Sequence, residues 1–220
     1  MKKFLTVLAC TTLLAQNVQG ESYIGEQTLK GETLQEASFM GNANLTDIKA
    51  TSLSVLGSVE FHNLTVEKET SIAGPITKSE KGRFGNLAVV GELDATDITT
   101  KKIDVAGAVT VTGLTVTGDA NIAGTLTLKA PKDPKIAKNK FQNLNIAAEE
   151  ISLEDTGVEG KIVVKQPSTF TGGDKKQVLR LLGNTTVKGD VTFESGKGII
   201  EQGPDAIIEG KITGATIEKK

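Results

Sequence analysis

The chain has 220 residues, 38% hydrophobic and 24% charged, with a formal net charge of -2, no tryptophan, one tyrosine and one cysteine. That balance excludes disordered, collagen-like, disulfide-stapled and multi-span membrane classes. Twenty-four glycines beside only seven phenylalanines predict an interior of small aliphatic contacts.

Residues 1–20 begin with Lys2 and Lys3, run apolar from Phe4 to Ala15 and end on Val18, Gln19 and Gly20. This is the form of a bacterial secretory signal, cut before Glu21, and the apolar run is shorter than the ~20 residues needed to span a bilayer. The expected mature chain is exported, periplasmic or extracellular. Losing Lys2 and Lys3 takes its formal charge from -2 to -4, a poor balance for general nucleic-acid binding. It also loses the single cysteine, and with it disulfide and thiol chemistry. The alternative reading is a lipoprotein anchored through Cys10, since Val7-Leu8-Ala9-Cys10 is similar to a lipobox, and only then is a membrane partner expected. Leu8 stands where that pattern prefers a smaller residue, and few apolar residues precede Cys10.

From Tyr23 onward the sequence repeats. An apolar residue, any residue, glycine, any residue and usually an apolar residue recur around Gly25, Gly41, Gly57, Gly74, Gly91, Gly107 and Gly124, at steps of 16 or 17 residues. The same form returns less regularly at Gly160, Gly189 and Gly210. Two residues after these glycines, nine of ten positions are apolar, against about four expected from composition. Within a repeat the apolar residues come in i, i+2 pairs such as Val109 and Val111, Leu114 and Val116, then Ala120 and Ile122. Each pair is one face of a short strand, and each three-residue step resets the pleat at a corner.

Three pairs per repeat predict an all-β, three-sided parallel β-helix, a β-solenoid of about ten coils of 16–17 residues. One coil cannot bury its apolar face alone, so stacking supplies the core. Ten coils at about 4.8 Å make a rod on the order of 45–50 Å long. The glycines read as structural, turning the corners and letting neighbouring backbones approach. The predicted β-solenoid occupies 21–220, with loop insertions near 129–140, where two prolines bar regular pairing, and near 166–183.

Reactive groups are sparse. His62 is the one histidine, and Phe61 and Leu64 beside it fill inward positions, which makes it a solvated corner residue. Metal, nucleophile-elbow and phosphate-loop spacings are absent from the sequence, so no catalytic residue, metal ligand or cofactor is expected. Lys129, Lys132, Lys135, Lys138 and Lys140 against Asp133 form the strongest local charge feature, a candidate anion-contacting loop. Three residues after each glycine, six of ten positions are threonine, as an ice-binding face would require. Glu60 and Asp94 interrupt that column, and β-propensity on a solvated face accounts for it better. Asn44, Asn63 and Asn184 lie in glycosylation sequons that matter only in a eukaryotic secretory route.

Six-residue acyltransferase repeats close at 18 residues and pentapeptide repeats at 20, and neither matches the glycine step. The repeat instead resembles that of bactofilin-like, polymer-forming bacterial β-helix proteins, well over 22–130 and loosely over 140–216. The resemblance implies the β-helix architecture and end-to-end self-association without nucleotide; an export signal sets this chain apart from the typically cytosolic members. The expected function is an exported, non-enzymatic, structural or surface-associated scaffold, self-associating through its solenoid ends. The alternative is an adhesin or polysaccharide-binding protein with a cell-surface or polysaccharide partner at the lysine loop. A β-helix polysaccharide-active enzyme and an ice-binding protein rank below both.

Overall fold

The computed structural model describes residues 20–133, 138–166 and 176–220. The signal-like segment 1–19 with Cys10, the loop residue Lys135 and residues 167–175 lie outside the described residues. Among those described, all regular elements are strands, and every strand pairing is parallel. Each strand pairs with the one a turn later, about eleven turns in all. The chain is a parallel β-solenoid.

In the regular half a single bent strand makes a whole turn. β5 (Val59–Ala73) lies between β4 (Ala43–Leu56) and β6 (Ile76–Val90), followed by β7 (Leu93–Ala106) and β8 (Val109–Ala123). Inward residues fall on three faces. In β8, Val109 and Val111 lie on the first, Leu114 and Val116 on the second, Ala120 and Ile122 on the third, all buried. Their i, i+2 spacing points them inward, and the corners between pairs keep the next pair inward as well. At about 25 cal/mol per Å2, the continuous aliphatic column is the main stabilising term of the fold.

The 16- and 17-residue turns differ by one residue taken up at irregularities in register. In β6 the extra residue puts Ser79, rather than an apolar side chain, inside. Ser79 is buried, accepts from the Phe61 N–H at 3.0 Å and donates to the Thr77 carbonyl at 3.1 Å. Gly82, on the second face of the same turn, leaves room for Phe61 and Phe84, whose rings meet edge to face at 5.7 Å. A Cβ at Gly82 would stand 2.5 Å from the Phe84 ring and 2.8 Å from Ile98.

After β9 (Leu126–Lys129) the chain leaves the wall and returns at β10 (Asn139–Ala147). Buried Asn139 closes this gap: its Oδ1 accepts from the N–H groups of Gly113 and Leu114, and its Nδ2 donates to the carbonyls of Lys129 and Glu154. Gln177 has a similar place at the second departure, its Nε2 donating to the carbonyls of Ala148 and Lys165 at 2.9 and 2.7 Å. Within the span 166–183 the structure holds β14 (Val178–Leu182), a wall strand between β11 (Glu150–Glu154) and β17 (Gly198–Gln202), with Leu179 and Leu181 buried.

The repeat also changes phase. Gly25 through Gly124 mark the corner between the third and first faces. Gly160, Gly189 and Gly210 mark the corner between the second and third, Gly160 standing between β12 (Thr156–Val158) and β13 (Ile162–Val164). The same short sequence form therefore labels two different corners. Strand pairs on either side of any corner look alike locally, and only the pairing partners distinguish them.

Candidate functional site

His62 ends the first-face part of β5, paired in register with Thr46 and Glu80. Its Nδ1 lies 3.5 Å from a Glu80 carboxylate oxygen, and both side chains are half exposed. Among the described residues no group of three His, Cys, Asp or Glu is arranged to hold a metal ion. Among the described residues no helix is long and apolar enough to cross a membrane.

Of the five lysines of the candidate anion loop, four lie among the described residues. Lys129 closes β9, Lys132 and Lys138 are exposed in the connection, and Lys140 belongs to β10, where it pairs with Thr115. Lys140 Nζ approaches Glu159 at 4.0 Å, and Glu159 also binds Lys188 at 2.7 Å. The hydrogen bond from Lys188 holds the Glu159 carboxyl below the ordinary carboxylate range despite some loss of hydration.

The threonine column divides between faces because of the phase change. Thr28, Thr110 and Thr127 lie on the first face, whereas Thr192 and Thr213 lie on the third, in line with Val163. On the first face the column continues from Thr127 through Ser152 and Arg180 to Glu201. Arg180 binds Glu150 at 3.2 Å and Glu201 at 3.0 Å, tying three successive turns together.

The third face carries regular outward columns. Its middle outward column runs Ser22, Ser38, Ser54, Ser71 and Ala88, then Asp104, Asn121 and Asn145. Asn145 donates to Asn121 at 2.9 Å, Asn121 to Asp104 at 2.7 Å, and Lys102 Nζ sits 2.7 Å from the same Asp104 carboxylate. Partial burial pushes the Asp104 carboxyl up, and the hydrogen bonds from Lys102 and Asn121 outweigh it, leaving it below the ordinary carboxylate value. Two shallow depressions lie on this face, one over Ser38 and Ser54, the other over Val90, Ala106 and Ala123 beside Asn121.

Alongside that column runs an apolar ladder formed by the residue immediately before each of the regular glycines from Gly25 to Gly124. Ile24, Met40, Leu56, Ala73, Val90, Ala106 and Ala123 pair in unbroken register, and Ala147 extends the line. Ile24 is 76% exposed, Met40 58%, Leu56 59% and Val90 64%. The sequence pattern left this position open to any residue. Its apolarity before all seven regular glycines was the available signal, although alternation assigns the position to solvent.

A second missed column turns the corner between the first and second faces: Gly31, Asp47, Asn63, Lys81, Asp97 and Gly113 all have positive φ. Gly, Asn and Asp dominate there because glycine has no Cβ and the short Asn and Asp side chains tolerate the left-handed region best.

These features define a parallel β-solenoid repeat protein with an ordered, partly apolar face. Comparison with protein-family models finds no match, and neither do comparisons with curated proteins and with solved structures.

Proposed function

We propose that the chain is an exported, non-enzymatic β-solenoid that serves as a structural or surface-associated scaffold and associates end to end, as its repeat's likeness to bactofilin-like proteins implies. The observation that carries this reading is the state of the two ends. At the first turn the Tyr23 ring stacks on Phe39 at 4.6 Å, and Tyr23 and Leu29 are only partly buried. At the last turn β20 (Ala215–Lys219) pairs on one side with β17, and Ile217 is 46% exposed. Ile207 and Ile208 of the neighbouring face lie in a strand that pairs with Thr186 and Val187. Among the described residues, both ends offer parallel strand edges with the same three-faced cross-section. Such edges are templates for further pairing.

Sedimentation and electron microscopy of the chain beginning at Glu21 test the proposal. Rods several molecules long, growing with concentration, are expected. Leu29→Lys with Ile217→Lys should shorten them to the unstacked species without changing the far-ultraviolet spectrum. A wild-type chain that never elongates at high concentration refutes end-to-end association.

A further inference from the structure

We propose that the third face is the interface of an antiparallel homodimer, two copies packing ladder on ladder about a two-fold axis that passes between the turns of Ala73 and Val90. This surface is separate from the solenoid ends, so the inference does not rest on end-to-end stacking.

The size pattern of the ladder carries it. The bulky members Ile24, Met40 and Leu56 occupy the early turns, and the alanines 106, 123 and 147 occupy the late ones, with Ala73 and Val90 between. A two-fold axis lying along the strand direction keeps ladder against ladder and reverses the order of turns. Centred between Ala73 and Val90, it sets Leu56 against the partner's Ala106, Met40 against the partner's Ala123 and Ile24 against the partner's Ala147. Val90 meets the partner's Ala73. Each large side chain thus faces an alanine, which is how interdigitated sheet faces fill the space between them. A two-fold contact must be self-complementary in this way.

The polar column follows the same reversal. Ser54 comes opposite the partner's Asp104, Ser38 opposite the partner's Asn121 and Ser22 opposite the partner's Asn145, so hydroxyl donors meet a carboxylate and amides. A like-charge juxtaposition also results, Glu36 against the partner's Asp119, and predicts a dimer that tightens with added salt. Eight turns at about 4.8 Å and five residues at about 3.3 Å give a footprint of roughly 35 by 16 Å. That is on the order of 550 Å2 per partner, at the small end of specific interfaces.

The experiment is sedimentation equilibrium on the chain from Glu21 carrying Leu29→Lys and Ile217→Lys, which removes end stacking and leaves the third face intact. A dimer is expected. Leu56→Ala should weaken it on the order of 100-fold, since the loss counts twice across a two-fold axis. Adding Ala106→Leu to Leu56→Ala should recover most of the loss by exchanging the large and small partners, whereas Ala106→Leu alone should weaken association. These positions are exposed, and unchanged thermal unfolding at low concentration verifies that the variants fold. A background chain that stays monomeric at all concentrations overturns the proposal, whether or not the face then binds lipid vesicles or glycans. A dimer indifferent to Leu56→Ala, or a double variant no tighter than the single one, overturns it as well.

Discussion

The demands on single residues are set by neighbours one turn away. At Gly57 φ is +144°, and a Cβ would stand 2.0 Å from the Gly41 carbonyl oxygen; Gly107 stands in the same relation to Gly91 at 1.8 Å. At Gly25, in the first turn, φ is +86° and nothing lies within 4 Å of the Cβ position. Gly57→Ala should therefore cost upwards of about 3 kcal/mol, combining backbone strain with displacement of the stacked peptide, and Gly25→Ala only about 1 kcal/mol. Equilibrium denaturation of the two variants checks the contrast, and equal losses would show that φ alone matters. Asn139→Ala leaves the Gly113 and Leu114 N–H groups and the Lys129 and Glu154 carbonyls without their partner. A loss of about 2–4 kcal/mol is expected from the same measurement. Asn139→Asp should not rescue it, because a carboxylate cannot donate to the two carbonyls.

Between elements, side-chain bridges connect turns that the hydrophobic column already stacks. Glu201 is bound by Arg180 and, at 3.5 Å, by Lys220. Loss of hydration raises its pKa, and these two cations together bring it below the ordinary glutamate value of 4.5; Lys188 does the same for Glu159. A carboxylate with a depressed folded-state pKa stabilises the fold above its unfolded value and loses that contribution as pH falls through the folded one. Thermal stability should therefore decline as pH drops below 4.5, and Arg180→Gln should make the decline shallower. Solvent screens these exposed pairs, so the effect is modest and should shrink further in salt. An acid profile unchanged by Arg180→Gln would show that the bridge contributes nothing.

At this scale the strands of the regular half were legible from the sequence, because Val59, Phe61, Leu64, Val66 and Ile72 repeat an alternation that only a strand can bury on one side. β14 was harder to read. Leu179 and Leu181 alternate properly, but they follow a lysine-bearing stretch and belong to a turn with no glycine of the regular spacing. Ser79 and Thr100, both buried and hydrogen-bonded, were unreadable because their partners are backbone groups brought near by the fold.

The whole molecule is quasi-one-dimensional: each turn touches the turns before and after it, and stability is a sum of such contacts. End stacking and lateral pairing are the two ways for this shape to grow, and they use different surfaces. By itself the sequence determined the turn length, the three inward pairs, the glycine corner from Gly25 to Gly124 and the solenoid they compose. These follow from periodicity, which is a local property of backbone geometry. The tertiary structure alone decided that Gly160, Gly189 and Gly210 turn a different corner, that the threonine column is split between faces, and that the residues before Gly25 to Gly124 join in an exposed ladder. Those facts depend on which strand lies above which. Register across turns is fixed by the packing of the column and by the insertions that interrupt it, and neither is encoded in the spacing of any one repeat.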